Sequence, residues 1–197
     1  MPRVDLAEES DLPEDKRHLI AAFREPEDLD PEYRHLMSSA ERNVYAAFGR
    51  APELLAAFRD FAGTLWDTAG LSARERELVI LRVARELDSR YVWHQHGRIA
   101  LSAGLPAADV RAVGANALDR FPEGEATLLA YVRAYLHGAV DDDLHDRLSA
   151  HYDADQTVGI GMLTGAYFVI GRSMDALDVP IEEEFVGWDL ANAPTED

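Results

Sequence analysis

Residues Ser72-Ala-Arg-Glu75 form a capping box, in which a serine and a glutamate three positions later satisfy each other's free amides at a helix start. The run that follows contains Leu78-Val79-Ile80-Leu81, so the helix predicted from Ala73 to about Leu87 is apolar nearly all round and has to be buried. A helix covered on every side needs neighbours, and the rest of the chain reads as helices. Pro52 opens one that Gly70 stops, with Leu54, Leu55, Phe58, Phe61, Leu65 and Trp66 expected on one face. A short connection at Asp88-Ser89-Arg90 leads to a helix ending at Gly104, and Pro106 starts a small one running to about Val113. Pro122 to about Leu136 and Asp141 to Tyr152 follow, and a second capping box, Asp153-Ala-Asp-Gln156, starts the last long helix to about Leu177. Alternation of apolar and polar residues over strand lengths is missing. The expected fold is all-α, a single multihelical domain of about seven or eight helices.

Flanking the helical text are two acidic segments. Residues 1–30 read as an arm punctuated by prolines, with one apolar piece from His18 to Phe23. Residues 31–181 make the helical domain, in which Pro31 to Phe48 carries Leu36, Val44, Tyr45 and Phe48. Residues 182–197 are an acidic tail, expected to be loose or packed on a neighbour, with Trp188 exposed.

Composition narrows the partners. Lys+Arg 19 against Asp+Glu 37 gives a net charge of −18, which makes nucleic acid and anionic membrane poor partners. The longest apolar stretch, Val158 to Gly171, is 14 residues with four glycines, too short for a membrane span. The first fifteen residues show no apolar core or cleavage pattern, so a cytoplasmic location is expected. A single lysine, Lys16, stands against eighteen arginines. Two readings fit this acidity: GC-rich coding, or a halophilic protein selected for solubility in concentrated salt. A melting temperature that does not rise with salt sinks the second. Cysteine is absent, which removes disulfides and thiol chemistry.

The densest polar and aromatic cluster is Tyr91-Val92-Trp93-His94-Gln95-His96. His96 has Val92, Trp93, Ile99, Ala100 and Ala103 as helical neighbours, and a buried histidine without a partner costs about 1–3 kcal/mol. Glu77 lies 19 residues earlier. If the two helices form an antiparallel hairpin near Ser89, both residues sit within about 10–18 Å of the turn and face one another. A carboxylate on an imidazole fixes its tautomer, as a general acid or base requires, and also serves as a purely structural pair. His94-x-His96 does not make a metal site, because residues two apart on a helix point about 200° apart. Gly161-x-x-x-Gly165 reads as close helix packing. No phosphate loop, dinucleotide fingerprint or serine-hydrolase elbow is present, and no cofactor or metal is expected.

Leu71-Ser-Ala-Arg-Glu-Arg-Glu77-Leu-Val-Ile-Leu-Arg, followed by Tyr91-Val-Trp-His-Gln-His96-Gly-Arg-Ile-Ala-Leu-Ser-Ala-Gly-Leu105, resembles the carboxymuconolactone decarboxylase family, which includes the alkylhydroperoxidase D proteins. The resemblance runs from about Asn43 to about Glu182. Peroxidase members read Glu, then Cys-x-x-Cys-x-x-x-His. Glu77 and His96 fall on the glutamate and histidine, while Ser89 and Val92 stand at the cysteine positions. Thiol peroxidase chemistry is therefore excluded, since it needs one sulfur to attack and one to resolve.

The resemblance implies a cofactor-free acid/base lyase acting on a small organic acid or lactone. His96 is then the general acid/base, Glu77 orients it, and Tyr91, Trp93 and His94 shape the pocket. Arg98 is the candidate for a substrate carboxylate, although an ion pair is the plainer role for it. A non-catalytic binding or assembly module on the same fold is the alternative. The resemblance also implies a homo-oligomer, a trimer or a hexamer.

Overall fold

The computed structural model describes residues 1–20 and 42–193, and among these every regular element is helical. Eight α-helices follow in order: α1 Asn43–Phe48, α2 Pro52–Thr68, α3 Ala73–Leu87, α4 Arg90–Ser102, α5 Ala107–Ala115, α6 Glu123–Leu136, α7 Asp142–Ser149 and α8 Ala154–Leu177. Both capping boxes form. Glu75 N–H donates to Ser72 Oγ at 3.2 Å and Ser72 N–H to the Glu75 carboxylate at 2.9 Å, and Asp153 and Gln156 exchange the equivalent pair at α8. Gly70 and Gly104 end their helices in the left-handed region, at φ 70° and 83°, where a Cβ would be strained.

The helix expected to be buried is the axis of the molecule, and it buries Glu77 and Arg82 along with its apolar residues. α3 packs against α4, α5, α6 and α8, and Leu78, Val79, Ile80 and Leu81 are all fully buried. A second apolar cluster joins Ala7, Leu12, Ile20, Val44, Tyr45, Leu55, Tyr91, Met174 and Val179. Residues 1–20 hold two short 3-10 turns, tied to α8 by Arg3 N–H on Leu177 O at 2.8 Å and to α1 by Ala7 N–H on Ala46 O at 2.9 Å. The remainder of the arm, and the part of the next predicted helix that contains Leu36, lie outside the described residues.

Two expectations are corrected here. On α2, Leu55 and Leu65 are buried, but Leu54 and Phe61 point outward: neighbours in sequence stand about 100° apart on a helix, so six apolar side chains over thirteen residues span more than one face. Residues 182–193 of the acidic tail pack on the chain itself, and Trp188 is half-buried rather than exposed. Val186 and Leu190 are buried, and the Trp188 ring packs 5.3 Å from Trp93, whose indole N–H donates to Gly187 O at 2.9 Å. Phe185, Val186, Trp188 and Leu190 form an apolar strip among the acids, and that strip covers the outer side of α4. No helix among the described residues is long and apolar enough to cross a membrane.

Candidate active site

The α3–α4 hairpin brings its two ionisable residues together. His96 Nδ1 lies 2.8 Å from Glu77 Oε2, with Glu77 wholly buried and His96 8% exposed. The carboxylate accepts a proton held on Nδ1, which leaves Nε2 for the other side of the ring. Tyr167 of α8 sets its ring at 90° to the imidazole, centroids 4.8 Å apart. Burial, reinforced by the Glu77 charge, raises the Tyr167 hydroxyl well above the usual phenol range, so it stays a neutral donor. The second Glu77 oxygen has no hydrogen bond among the described residues and faces Arg76 Nε at 3.8 Å.

The pair opens onto a cavity of about 930 Å³, whose mostly apolar walls come from α1, α2, α4 and α8. α4 contributes Tyr91, Val92, Gln95, His96 and Ile99, a stripe at one- and four-residue steps that marks a single helix face. α2 contributes Phe58, Leu65 and Trp66, and Arg42, Arg59 and Arg76 reach the wall as cations. Glu182, at the start of the supposed tail, holds this wall. It accepts from Tyr91 Oη, Gln95 Nε2 and the Asn43 N–H, each at 2.6 Å. Burial and the Glu182 charge keep the Tyr91 hydroxyl protonated.

The sequence-predicted residues divide between two faces. His96, Tyr91 and Val92 line the cavity, and Glu77 stands behind His96. Trp93, His94 and Arg98 do not line it. They occupy the opposite stripe of α4, against the tail. His94 Nδ1 accepts from the Val186 N–H at 3.3 Å, and Arg98 pairs with Glu183 at 3.5 Å rather than waiting for a substrate. Burial, with Arg98 and then Arg42 adding positive charge, lowers the His94 pKa from 6.5 to about 4. Ser89 is fully buried at the start of α4 and does not reach the cavity, so the two positions matching the family cysteines face different surroundings.

Residues 52–143 match the model of the carboxymuconolactone decarboxylase family. Over this segment, 92 of its 197 residues, the chain resembles that family. It superposes with a TM-score of 0.76 on an uncharacterized peroxidase-related protein with an alkylhydroperoxidase AhpD core from Ralstonia eutropha JMP134, 19% identical and covering 98% of each chain. A protein of unknown function from Agrobacterium tumefaciens is 21% identical, with a TM-score of 0.63 over 70% of this chain and 96% of its own. The debrominase Bmp8, in a complex with 2,3,4-tribromopyrrole, is 17% identical, with a TM-score of 0.67 over 88% of this chain and 95% of its own. These likenesses establish the fold. No curated protein matches the sequence. Among the described residues no group of His, Asp and Glu is placed to hold a metal ion.

Trp66, Arg76, Gln95, Tyr167 and Glu182 were not singled out from the sequence. Only Arg76 and Gln95 carried a local signal, as neighbours of Glu77 and His96.

Proposed function

We propose that this carboxymuconolactone decarboxylase-like chain is a cofactor-free acid/base lyase that decarboxylates, or opens the lactone of, an organic acid. The observation that supports this reading is the buried 2.8 Å contact between Glu77 and His96 at the wall of a roomy, largely apolar cavity. In a decarboxylation the bond to the carboxylate carbon breaks and carbon dioxide leaves. The electron pair passes into a conjugated carbonyl, whose oxygen becomes anionic. His96 Nε2, loaded with a proton from solvent, passes it to the carbon while the Nδ1 proton stays on Glu77, and the neutral Tyr167 hydroxyl is a donor for the oxyanion. Apolar walls keep water from competing with these contacts.

A screen of lactones with β-keto and unsaturated acids, read by carbon dioxide release or ultraviolet absorbance, tests the reading. His96→Ala should lower kcat by about 100-fold or more with the helical fold intact. An activity that survives His96→Ala and is lost only on unfolding overturns the assignment. Ligand binding without any turnover favours the binding-module alternative.

The same reading includes a homo-oligomer, a trimer or a hexamer. α8 exposes Val158, Met162 and Val169 at four- and seven-residue steps, an apolar stripe left open by the described residues. A sedimentation mass near 21.9 kDa at working salt refutes it.

A further inference from the structure

Arginines are the minority charge in this protein, yet the cavity wall reverses the balance. Arg42, Arg59 and Arg76 line it against one acid, Asp67, with Glu77 set behind. Among the three cations, Arg59 is committed to the Leu19 carbonyl at 2.5 Å and lies over the Tyr45 ring at 4.8 Å. Arg76 is held differently. Its guanidinium lies 3.9 Å from the centroid of the Trp66 ring, its side chain is 15% exposed, and its buried Nε makes no hydrogen bond among the described residues. Stacking on an indole fixes the plane of a guanidinium without using its N–H donors. The nearest carboxylate, Glu77, stands 3.8 Å away with one oxygen already on His96. A partly buried cation with unspent donors, fixed in plane beside the acid/base pair, is suited to an anion that arrives with the ligand.

We propose that Arg76, braced by Trp66, holds the carboxylate of a monoanionic ligand whose bulky apolar or aromatic body fills the cavity. This deepens the lyase reading and rests on the cavity being its substrate site. A planar carboxylate matches the guanidinium fork, whereas a dianion would meet the Glu77 charge. The volume lies at the upper end of the roughly 300–1,000 Å³ typical of small-molecule sites, and Tyr45, Phe58 and Trp66 give the wall aromatic surface for such a body. Arg76 takes the part that sequence reasoning gave to Arg98, which the tail has occupied.

Isothermal titration of the full chain with 1-naphthoate and with its neutral counterpart 1-naphthalenemethanol tests this. Wild type should bind the carboxylate at least tenfold more tightly than the alcohol. Arg76→Met should remove that preference and leave alcohol binding unchanged, which also shows that the cavity is intact. Arg76→Lys, which keeps the charge but loses the planar fork, should fall between. No measurable binding of 1-naphthoate by wild type overturns the proposal, as does a preference that survives Arg76→Met or an equal loss of both ligands. Binding is read without turnover, so the two readings fail separately. Arg76-dependent binding with no acid or lactone turned over defeats the lyase reading alone. His96-dependent turnover indifferent to Arg76→Met defeats the anchor alone.

Discussion

His94 makes the strongest test of where the faces of α4 point. Its two ring nitrogens each meet a donor, the Val186 N–H at 3.3 Å and Arg98 Nη1 at 3.4 Å. A neutral ring has one acceptor to offer, whereas an imidazolium has none and adds a charge beside Arg98. Burial and Arg98 therefore lower the His94 pKa from 6.5 to about 4. The neutral form is the one that folding favours, so this contribution is complete above pH 6.5 and is lost as the pH falls toward about 4. Between pH 7 and pH 5 the loss amounts to about 2 kcal/mol, or about 4–8 °C in Tm for a chain of this length. Other groups titrate in the same window, so the comparison is between wild type and His94→Gln, which keeps an acceptor but cannot gain a proton. Urea unfolding at both pH values should show wild type losing about 2 kcal/mol more than the variant. Equal losses would refute the placement of His94 as a neutral acceptor under the tail.

Gly159→Ala should cost about 3 kcal/mol or more in urea unfolding, because its new Cβ runs into the Ala69 carbonyl oxygen and comes 2.9 Å from Ala69 Cα. Gly63→Ala, with nothing within 4 Å of its Cβ, should stabilise α2 by up to about 1 kcal/mol in the same assay. Organic hydroperoxide should not be turned over with any dithiol donor in a coupled reductase assay, and robust turnover by the unmodified protein would break that argument. Ser89→Cys with Val92→Cys installs a Cys-x-x-Cys-x-x-x-His spacing ending at His96, and the same assay on that variant reads whether the scaffold supports the chemistry.

Helix boundaries were legible because each has a local cause. The two capping boxes, Pro52, Gly70 and Gly104 act within four or five residues of themselves. The Glu77–His96 contact was legible for a related reason: a hairpin turn lets axial rise place two side chains at one height. What stayed hidden depends on faces. α4 is buried from Tyr91 to Ser102, so its hydrophobic pattern has no polar side from which to orient it. Reading the cluster from Tyr91 to His96 as one unit put Trp93 and His94 in the pocket, yet they belong to the stripe that the tail covers. The cavity's other walls, Trp66 and Tyr167, come from helices far away in sequence, and no spacing rule joins them to His96. Glu182 was hidden by its neighbours, since one carboxylate in an acidic run gives no sign that it will accept three hydrogen bonds.

The energetics of Glu77 bear on why such a site persists in a chain without thiols. It is wholly buried on the central helix, next to Leu78, and one of its oxygens has no hydrogen bond among the described residues. Burying a carboxylate costs several kcal/mol unless its partners compensate, and an apolar pair of similar volume in place of Glu77 and His96 would often be neutral or stabilising. A purely structural role would need the pair to outperform that replacement. The half-satisfied oxygen, the Arg76 Nε left without a hydrogen bond among the described residues and a cavity beyond the imidazole weaken the structural case, because a pair built for stability would use every lone pair and leave no room beside it. Val92 sharpens the contrast. At a position that the family resemblance matches to a cysteine, it lends the wall an apolar surface, which lowers local polarity around His96 without adding a competing nucleophile. The arrangement sets an imidazole at the wall of a mostly apolar, cation-lined cavity, and that combination favours the proposed acid/base work on a bound anion over a role in stability.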